Sequence, residues 1–119
     1  MRTLLAGCAL LFSLPAAAAE VDQSAAVQAL ATPKTLLIDV RTAEEFAAGA
    51  LPGASRISYE QIGTQIAGLA PDKDTPIVLY CRSGRRSSIA QDELSTLGYT
   101  HVINAGGYQE LKTALALKD

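Results

Sequence analysis

The run Ile77-Val78-Leu79-Tyr80, followed at once by Cys81-Arg82-Ser83-Gly84-Arg85-Arg86-Ser87, constrains the fold of this chain more than any other segment. An unbroken apolar stretch has no polar face, so it reads as a strand covered on both sides, the habit of parallel sheets. From Ser88 to Leu97, residues Ala90, Leu94 and Leu97 keep helical spacing and Gly98 closes the stretch, so a helix follows the loop. A strand, a tight loop and a helix in that order form an anion site. Unpaired N–H groups of the first helical turn point back into the loop, and the aligned peptide dipoles add roughly half a positive charge there.

Cys81 opens that loop. A thiolate in this field, with Arg82, Arg85 and Arg86 nearby, is expected to have a pKa below the free value of about 8.5 and to act as a nucleophile. The competing reading is a small buried hydrophobe. Against it, three arginines within the five positions after Cys81 are costly to cluster unless an anion or solvent accommodates them. Ser83-Gly84 also supplies a turn that lets backbone approach a ligand closely. Each arginine taken singly could still be a solvated charge. The one histidine, His101, lies on another segment and reads as surface or core filler; a Cys/His dyad requires the fold to bring it back.

The N-terminus predicts export. Arg2 is basic, Leu4 to Leu14 is apolar, Pro15 breaks the run, and Ala16 to Ala19 offer small residues for cleavage, giving a signal peptide over 1–19 and a mature domain over 20–119 beginning at Glu20. The stretch falls short of the roughly 20 apolar residues of a membrane span, so no stable anchor is expected after cleavage and the destination is the periplasm. Leu5-Ala6-Gly7-Cys8 imitates a lipoprotein box, but most of the apolar run follows Cys8 instead of preceding it. Cleavage removes one of the two cysteines, leaving Cys81 without an intrachain partner. No CxxC motif and no Cys/His spacing for zinc is present, so neither metal nor cofactor is expected. About a hundred residues remain, one domain's worth. With a net charge of −2 and arginines concentrated at Cys81, a local anion pocket fits better than a nucleic-acid surface.

Strand-like and helix-like stretches alternate beyond the leader. Thr35 to Val40 reads as a buried strand, and Thr42-Ala43-Glu44-Glu45 as a capping box opening a helix to Ala48. Gly49, Pro52 and Gly53 force a loop before a short strand from Ala54 to Ile57. Ser58-Tyr59-Glu60-Gln61 reads as a second capping box, with Ile62, Ile66 and Leu69 on one helical face. Tyr99 to Ile103 reads as a strand, Gly106-Gly107 as a bend, and Tyr108, Leu111 and Leu115 as the apolar stripe of a last helix. The sum is an α/β domain with a mainly parallel sheet flanked by helices on both faces and ligands at the carboxyl ends of the strands. Asp39 and Arg41 end one such strand; an internal ion pair is preferred over substrate contact.

These residues resemble a single-domain rhodanese, the sulfurtransferase family. The resemblance rests on Leu37-Ile38-Asp39-Val40-Arg41 with Glu44-Glu45-Phe46, on Gly49-Ala50-Leu51-Pro52-Gly53-Ala54, on the loop from Cys81 to Ser87, and on Gly106-Gly107-Tyr108. Two positions depart from the family pattern: Ala50 stands where many members carry histidine, and Leu111 where many carry tryptophan. The resemblance implies that Cys81 takes a sulfane sulfur from thiosulfate or a similar donor and passes it to cyanide or a thiol, with a protein acceptor conceivable. It implies a loop cradle from Arg82, Ser83, Gly84, Arg85, Arg86 and Ser87, in which Arg85 or Arg86 holds the sulfonate oxygens. Two rivals share parts of this pattern. A cysteine phosphatase or arsenate reductase needs C-x5-R, but that register falls on Ser87, with Arg86 one residue early. A persulfide carrier with slow small-molecule turnover leaves no distinct sequence mark.

Overall fold

The computed structural model describes residues 21–117. The leader, Cys8 and the expected start at Glu20 lie outside the described residues. In chain order the elements are α1 (Gln23–Leu30), β1 (Leu36–Asp39), α2 (Ala43–Ala48), β2 (Ser55–Arg56), α3 (Ile62–Leu69), β3 (Ile77–Cys81), α4 (Arg85–Thr96), β4 (Val102–Gly107) and α5 (Tyr108–Ala114). The strands form one sheet in the order β2-β1-β3-β4, and every pairing is parallel.

Side chains of the strands alternate between two cores, because successive residues of a strand point to opposite faces. Ile38, Val40, Ile77, Leu79 and Cys81 pack with Ile62 and Ile66 of α3 and Ala90 and Leu94 of α4. Leu37, Val78, Tyr80 and Ala105 pack with Ala26 of α1 and Leu111 of α5 on the other face. Both faces are covered, so β3 is buried at every position. Each fully buried Ile or Leu contributes about 1.5–3 kcal/mol relative to exposure. The order of the strands reverses between β1 and β3, and a crevice at the carboxyl ends of such a pair is where α/β sheets hold ligands. Val40-Arg41 leave β1 at that rim, and Cys81 ends β3 there.

The local elements differ from the sequence reading in four places. The helix after Cys81 begins at Arg85, three residues before Ser88, because Gly84 takes φ +103° as its N-cap and Ser87 Oγ bonds back to the Gly84 carbonyl at 3.1 Å. Arg85, Arg86 and Ser87 are therefore the first turn of α4 and not loop. The capping box at Ser58 is not used: Ser58 closes a turn by accepting the Glu60 N–H at 3.2 Å, and α3 starts after Gln61 without a side-chain cap. The fourth strand spans Val102–Gly107, so it starts after Tyr99 and takes in Gly106-Gly107, expected as a bend, because Gly107 pairs with Cys81 across the sheet. Tyr99 ends α4's return, its N–H bonded to Leu94 O at 3.1 Å and its hydroxyl to Ala70 O at 2.7 Å. The helix α1 carries no strong periodic signal among its alanines and glutamines, yet Asp22 caps it by accepting the Ala25 N–H at 3.0 Å.

Candidate active site

Cys81 is the last residue of β3 and is fully buried. Its sulfur faces the start of α4, where the Gly84 N–H donates to Sγ at 2.9 Å and Ser87 Oγ lies 3.4 Å away. Burial pushes the Cys81 thiol up, but the Ser87 hydroxyl and the backbone N–H groups of Ser87, Gly84 and Ser83 together outweigh it, so the thiol is more acidic than an ordinary cysteine. Dipoles of the backbone and one hydroxyl therefore stabilise the anion. The cradle closes tightly behind the sulfur. A Cβ on Gly107, which pairs with Cys81 across the sheet, would stand 2.7 Å from the Arg82 carbonyl, so only glycine fits there.

The three arginines part company. Arg82 and Arg85 are exposed. Arg86 is half-buried and its guanidinium forms a two-bond fork with Glu45 of α2, at 3.0 and 3.1 Å. Arg86 is still close enough to the sulfur for its own ionisation to be favoured by Cys81, after its larger stabilisation by Glu45 and the opposing effect of burial. Glu45 also completes the α2 capping box by accepting the Thr42 N–H at 3.0 Å, so one carboxylate both starts α2 and ties it to α4.

Asp39 and Arg41 form an ion pair in the interior, with Arg41 Nη2 2.6 Å from Asp39 Oδ2 and Nε bonded to both carboxylate oxygens at 2.9 and 3.0 Å. The remaining reach of Nη2 goes to the Gly49 carbonyl at 2.7 Å. The guanidinium lies 4.5 Å from the Tyr108 ring centroid and 5.5 Å from that of Tyr80, which adds cation–π attraction in a desolvated setting. A cleft of about 350 Å³ opens beside this pair, lined by Arg41, Glu45, Gly49, Arg82, Tyr108 and Gln109. Arg82 joins it to the cysteine loop.

His101 is exposed and bonded through Nδ1 to the neighbouring Thr100 hydroxyl at 2.8 Å. Its carbonyl accepts the Ile77 N–H at the start of β3, about 13 Å of strand from Cys81, so no Cys/His dyad forms. Two residues that the sequence reading does not assign to the site reach it. Glu45 reads there as a helix cap and as part of the family pattern. Asn104 was an unremarked polar residue in an apolar strand, and it accepts the Ser87 hydroxyl at 2.7 Å; that interruption was the available signal. Of the family departures, Leu111 is fully buried in the α1/α5 core, and Ala50 sits half-buried next to Gly49.

The family model of the rhodanese-like domain matches residues 22–114. The chain is 37% identical over 107 residues to the thiosulfate sulfurtransferase PspE of Escherichia coli (strain K12), covering 90% of this chain and 88% of that protein. It is 34% identical over 94 residues to the human thiosulfate:glutathione sulfurtransferase, covering 68% of this chain and 82% of that one. Among solved structures, a rhodanese with anions from E. coli superposes with a TM-score of 0.62 at 39% identity, covering 64% of this chain and 89% of that chain. With its parallel sheet, its cysteine at a strand end and its glycine-capped helix behind that cysteine, the chain belongs to the rhodanese-like family and is homologous to its single-domain sulfurtransferases.

Proposed function

We propose that this protein moves a sulfane sulfur from thiosulfate, or a donor of the same chemistry, to cyanide or a thiol by way of a persulfide on Cys81. The observation that carries the reading is the sulfur itself, set at the N-terminus of α4 with the Gly84 N–H 2.9 Å away and its acidity raised without a histidine base. The thiolate attacks the outer sulfur of thiosulfate; the new S–S bond forms as the old one breaks, and sulfite leaves with the electron pair. The persulfide terminus keeps one negative charge, which suits the Ser83, Gly84 and Ser87 amides that face the sulfur. Cyanide then attacks the terminal sulfur, leaving as thiocyanate and returning the thiolate; a thiolate acceptor leaves as its own persulfide. Arg82, which lines the cleft, and Arg85 in the first turn of α4, both exposed, hold the sulfonate oxygens. Arg86, engaged by Glu45, contributes field instead of a free fork. Asp39 and Arg41 brace the rim. The names of the relatives, which speak of thiosulfate and, in the human protein, glutathione, agree with this choice of donor and acceptor class.

Incubation of the domain with thiosulfate alone is expected to add one sulfur atom by intact mass and to release sulfite, and cyanide then restores the mass. A wild-type protein that never gains the mass sinks the proposal. Hydrolysis of an aryl phosphate, lost in Cys81→Ser, would assign it to the phosphatases instead. A multiple-turnover rate far below that of single loading would identify a carrier. The same reading places the protein in the periplasm after cleavage at Glu20, on the strength of the 1–19 pattern; N-terminal sequencing of the periplasmic fraction tests it. Among the described residues no helix is long and apolar enough to cross a membrane.

A further inference from the structure

Asn104 is a fully buried amide on β4, whose side chain has each of its hydrogen-bonding positions filled. Oδ1 accepts the Gly106 N–H at 2.9 Å and the Ser87 hydroxyl at 2.7 Å. Nδ2 donates to the Gly84 carbonyl at 3.2 Å and to Ser88 Oγ at 2.9 Å. The Gly106 nitrogen can only donate and the Gly84 oxygen can only accept, so the amide has a single orientation. An amide buried this deeply costs a few kcal/mol unless paired, and a fully paired one imposes geometry on whatever it touches.

What it touches are two of the residues that reach the sulfur. Gly84 supplies the N–H at 2.9 Å, and Ser87 supplies the hydroxyl at 3.4 Å. The Ser87 hydroxyl has one proton for three acceptors in range, Asn104 Oδ1, the Gly84 carbonyl and Cys81 Sγ. We propose that Asn104 is a positioning residue for Cys81, fixing the Gly84 N–H and the Ser87 hydroxyl against the sulfur from the neighbouring strand. A thiolate or persulfide then meets donors already in place, which is the condition for electrostatic stabilisation without reorganisation. The proposal rests on Cys81 being the reacting group. The other ionisable groups around the sulfur are Arg82 of the loop and Arg85 of α4, both exposed, Arg86 of α4, paired with Glu45 of α2, Tyr59 beside Arg86, and Glu110 of α5 against Gly107. Asp39 of β1 is neutralised by Arg41, and β4 and α3 carry no titratable side chain.

The test is the pH dependence of Cys81 alkylation by iodoacetamide in wild type, Asn104→Ala, Ser87→Ala and the double variant. Each single change is expected to move the profile up by about one pH unit, roughly tenfold less thiolate near neutrality, as for the loss of one hydrogen bond to an anion. The double variant should move no further than the larger single, since Asn104 acts through the same donors. Three results overturn the proposal: an unmoved profile with lowered thermal stability, a shift to lower pH showing that Asn104 competes with the sulfur for the Ser87 proton, or full additivity. Should Asn104→Ala not fold, Asn104→Ser keeps a neutral polar group at the position but is too short to span Gly84 and Ser87 together. It must raise the profile; an unmoved or lowered profile overturns the proposal. Alkylation does not depend on sulfur transfer, so absent transfer with these shifts intact would strike the proposed function alone.

Discussion

Two charged sites stand side by side at the carboxyl ends of β1 and β3, and they handle charge in opposite ways. At β1 the Asp39 carboxylate meets the Arg41 guanidinium, an opposite charge, at 2.6 Å with both side chains buried. At β3 the Cys81 sulfur meets no opposite charge at contact distance among the described residues, but the Ser87 hydroxyl and the backbone N–H groups of the loop and first turn, Gly84 foremost at 2.9 Å. An ion pair is a closed account, since its charges cancel and little field is left for a third party. A dipole cradle holds an anion without a counter-charge that cancels it, so its donors suit the charge that moves from sulfur to sulfur in the proposed transfer. The first arrangement braces a rim; the second suits chemistry.

The contrast can be broken most forcefully at Cys81. Cys81→Ser should lower sulfur loading by on the order of a thousandfold or more while leaving the thermal transition in place, because a hydroxyl fits but hardly ionises. Loading that survives in this variant would mean that the sulfur does not carry the reaction. At the ion pair the expected effect is on folding. Arg41→Leu leaves the buried Asp39 uncompensated and should cost about 3–5 kcal/mol in denaturant unfolding; a loss under about 1 kcal/mol would mean that the pair is far more solvated than its burial indicates.

Gly84→Ala separates the two sites more gently. Gly84 has φ +103°, and a Cβ there would meet Val21 Cγ2 at 3.2 Å, so about 1–2 kcal/mol of strain is expected. Because the Gly84 N–H is a cradle donor, alkylation should also lose acidity, measured as a profile displaced to higher pH. Strain without displacement would remove Gly84 from the cradle. The smallest effect belongs to Glu45, which Arg86 holds down to about 2. A carboxyl depressed in the folded state contributes stability that is fully present above its unfolded value of about 4.3 and is lost as pH falls toward 2. The pair is partly exposed, at 19% and 25%, so Glu45→Gln should cost no more than about 1 kcal/mol at neutral pH. It should also flatten stability between roughly pH 4.5 and 2; an unchanged acid limb in equilibrium unfolding would deny the link.

Much of the architecture is legible along the chain because the signals are local. The continuous apolar run at Ile77 marks a strand with no exposed face, and the Thr42/Glu45 box is a contact between residues three apart in sequence. The failures are also physical. Ser58 has the right spacing for a cap, yet the chain uses its oxygen in a turn. The sequence places the start of α4 three residues late because the choice between loop and first turn hangs on Gly84 adopting a left-handed conformation. The shift of the last strand from Tyr99 to Val102 follows the Tyr99 hydroxyl, which is drawn to Ala70 29 residues away.

By itself the sequence determined the order of elements from β1 onward, the parallel sheet, and a cysteine between a buried strand and a helix N-terminus, since periodicity and backbone dipoles follow from neighbouring residues. Only the tertiary structure decided which groups face the sulfur. Glu45 lies 41 residues from Arg86 and takes its fork, and Asn104 lies 17 residues from Ser87 and holds its hydroxyl in place at 2.7 Å. Sequence distance carries no record of these contacts, because they arise only when α2, α4 and β4 are packed at one end of one sheet.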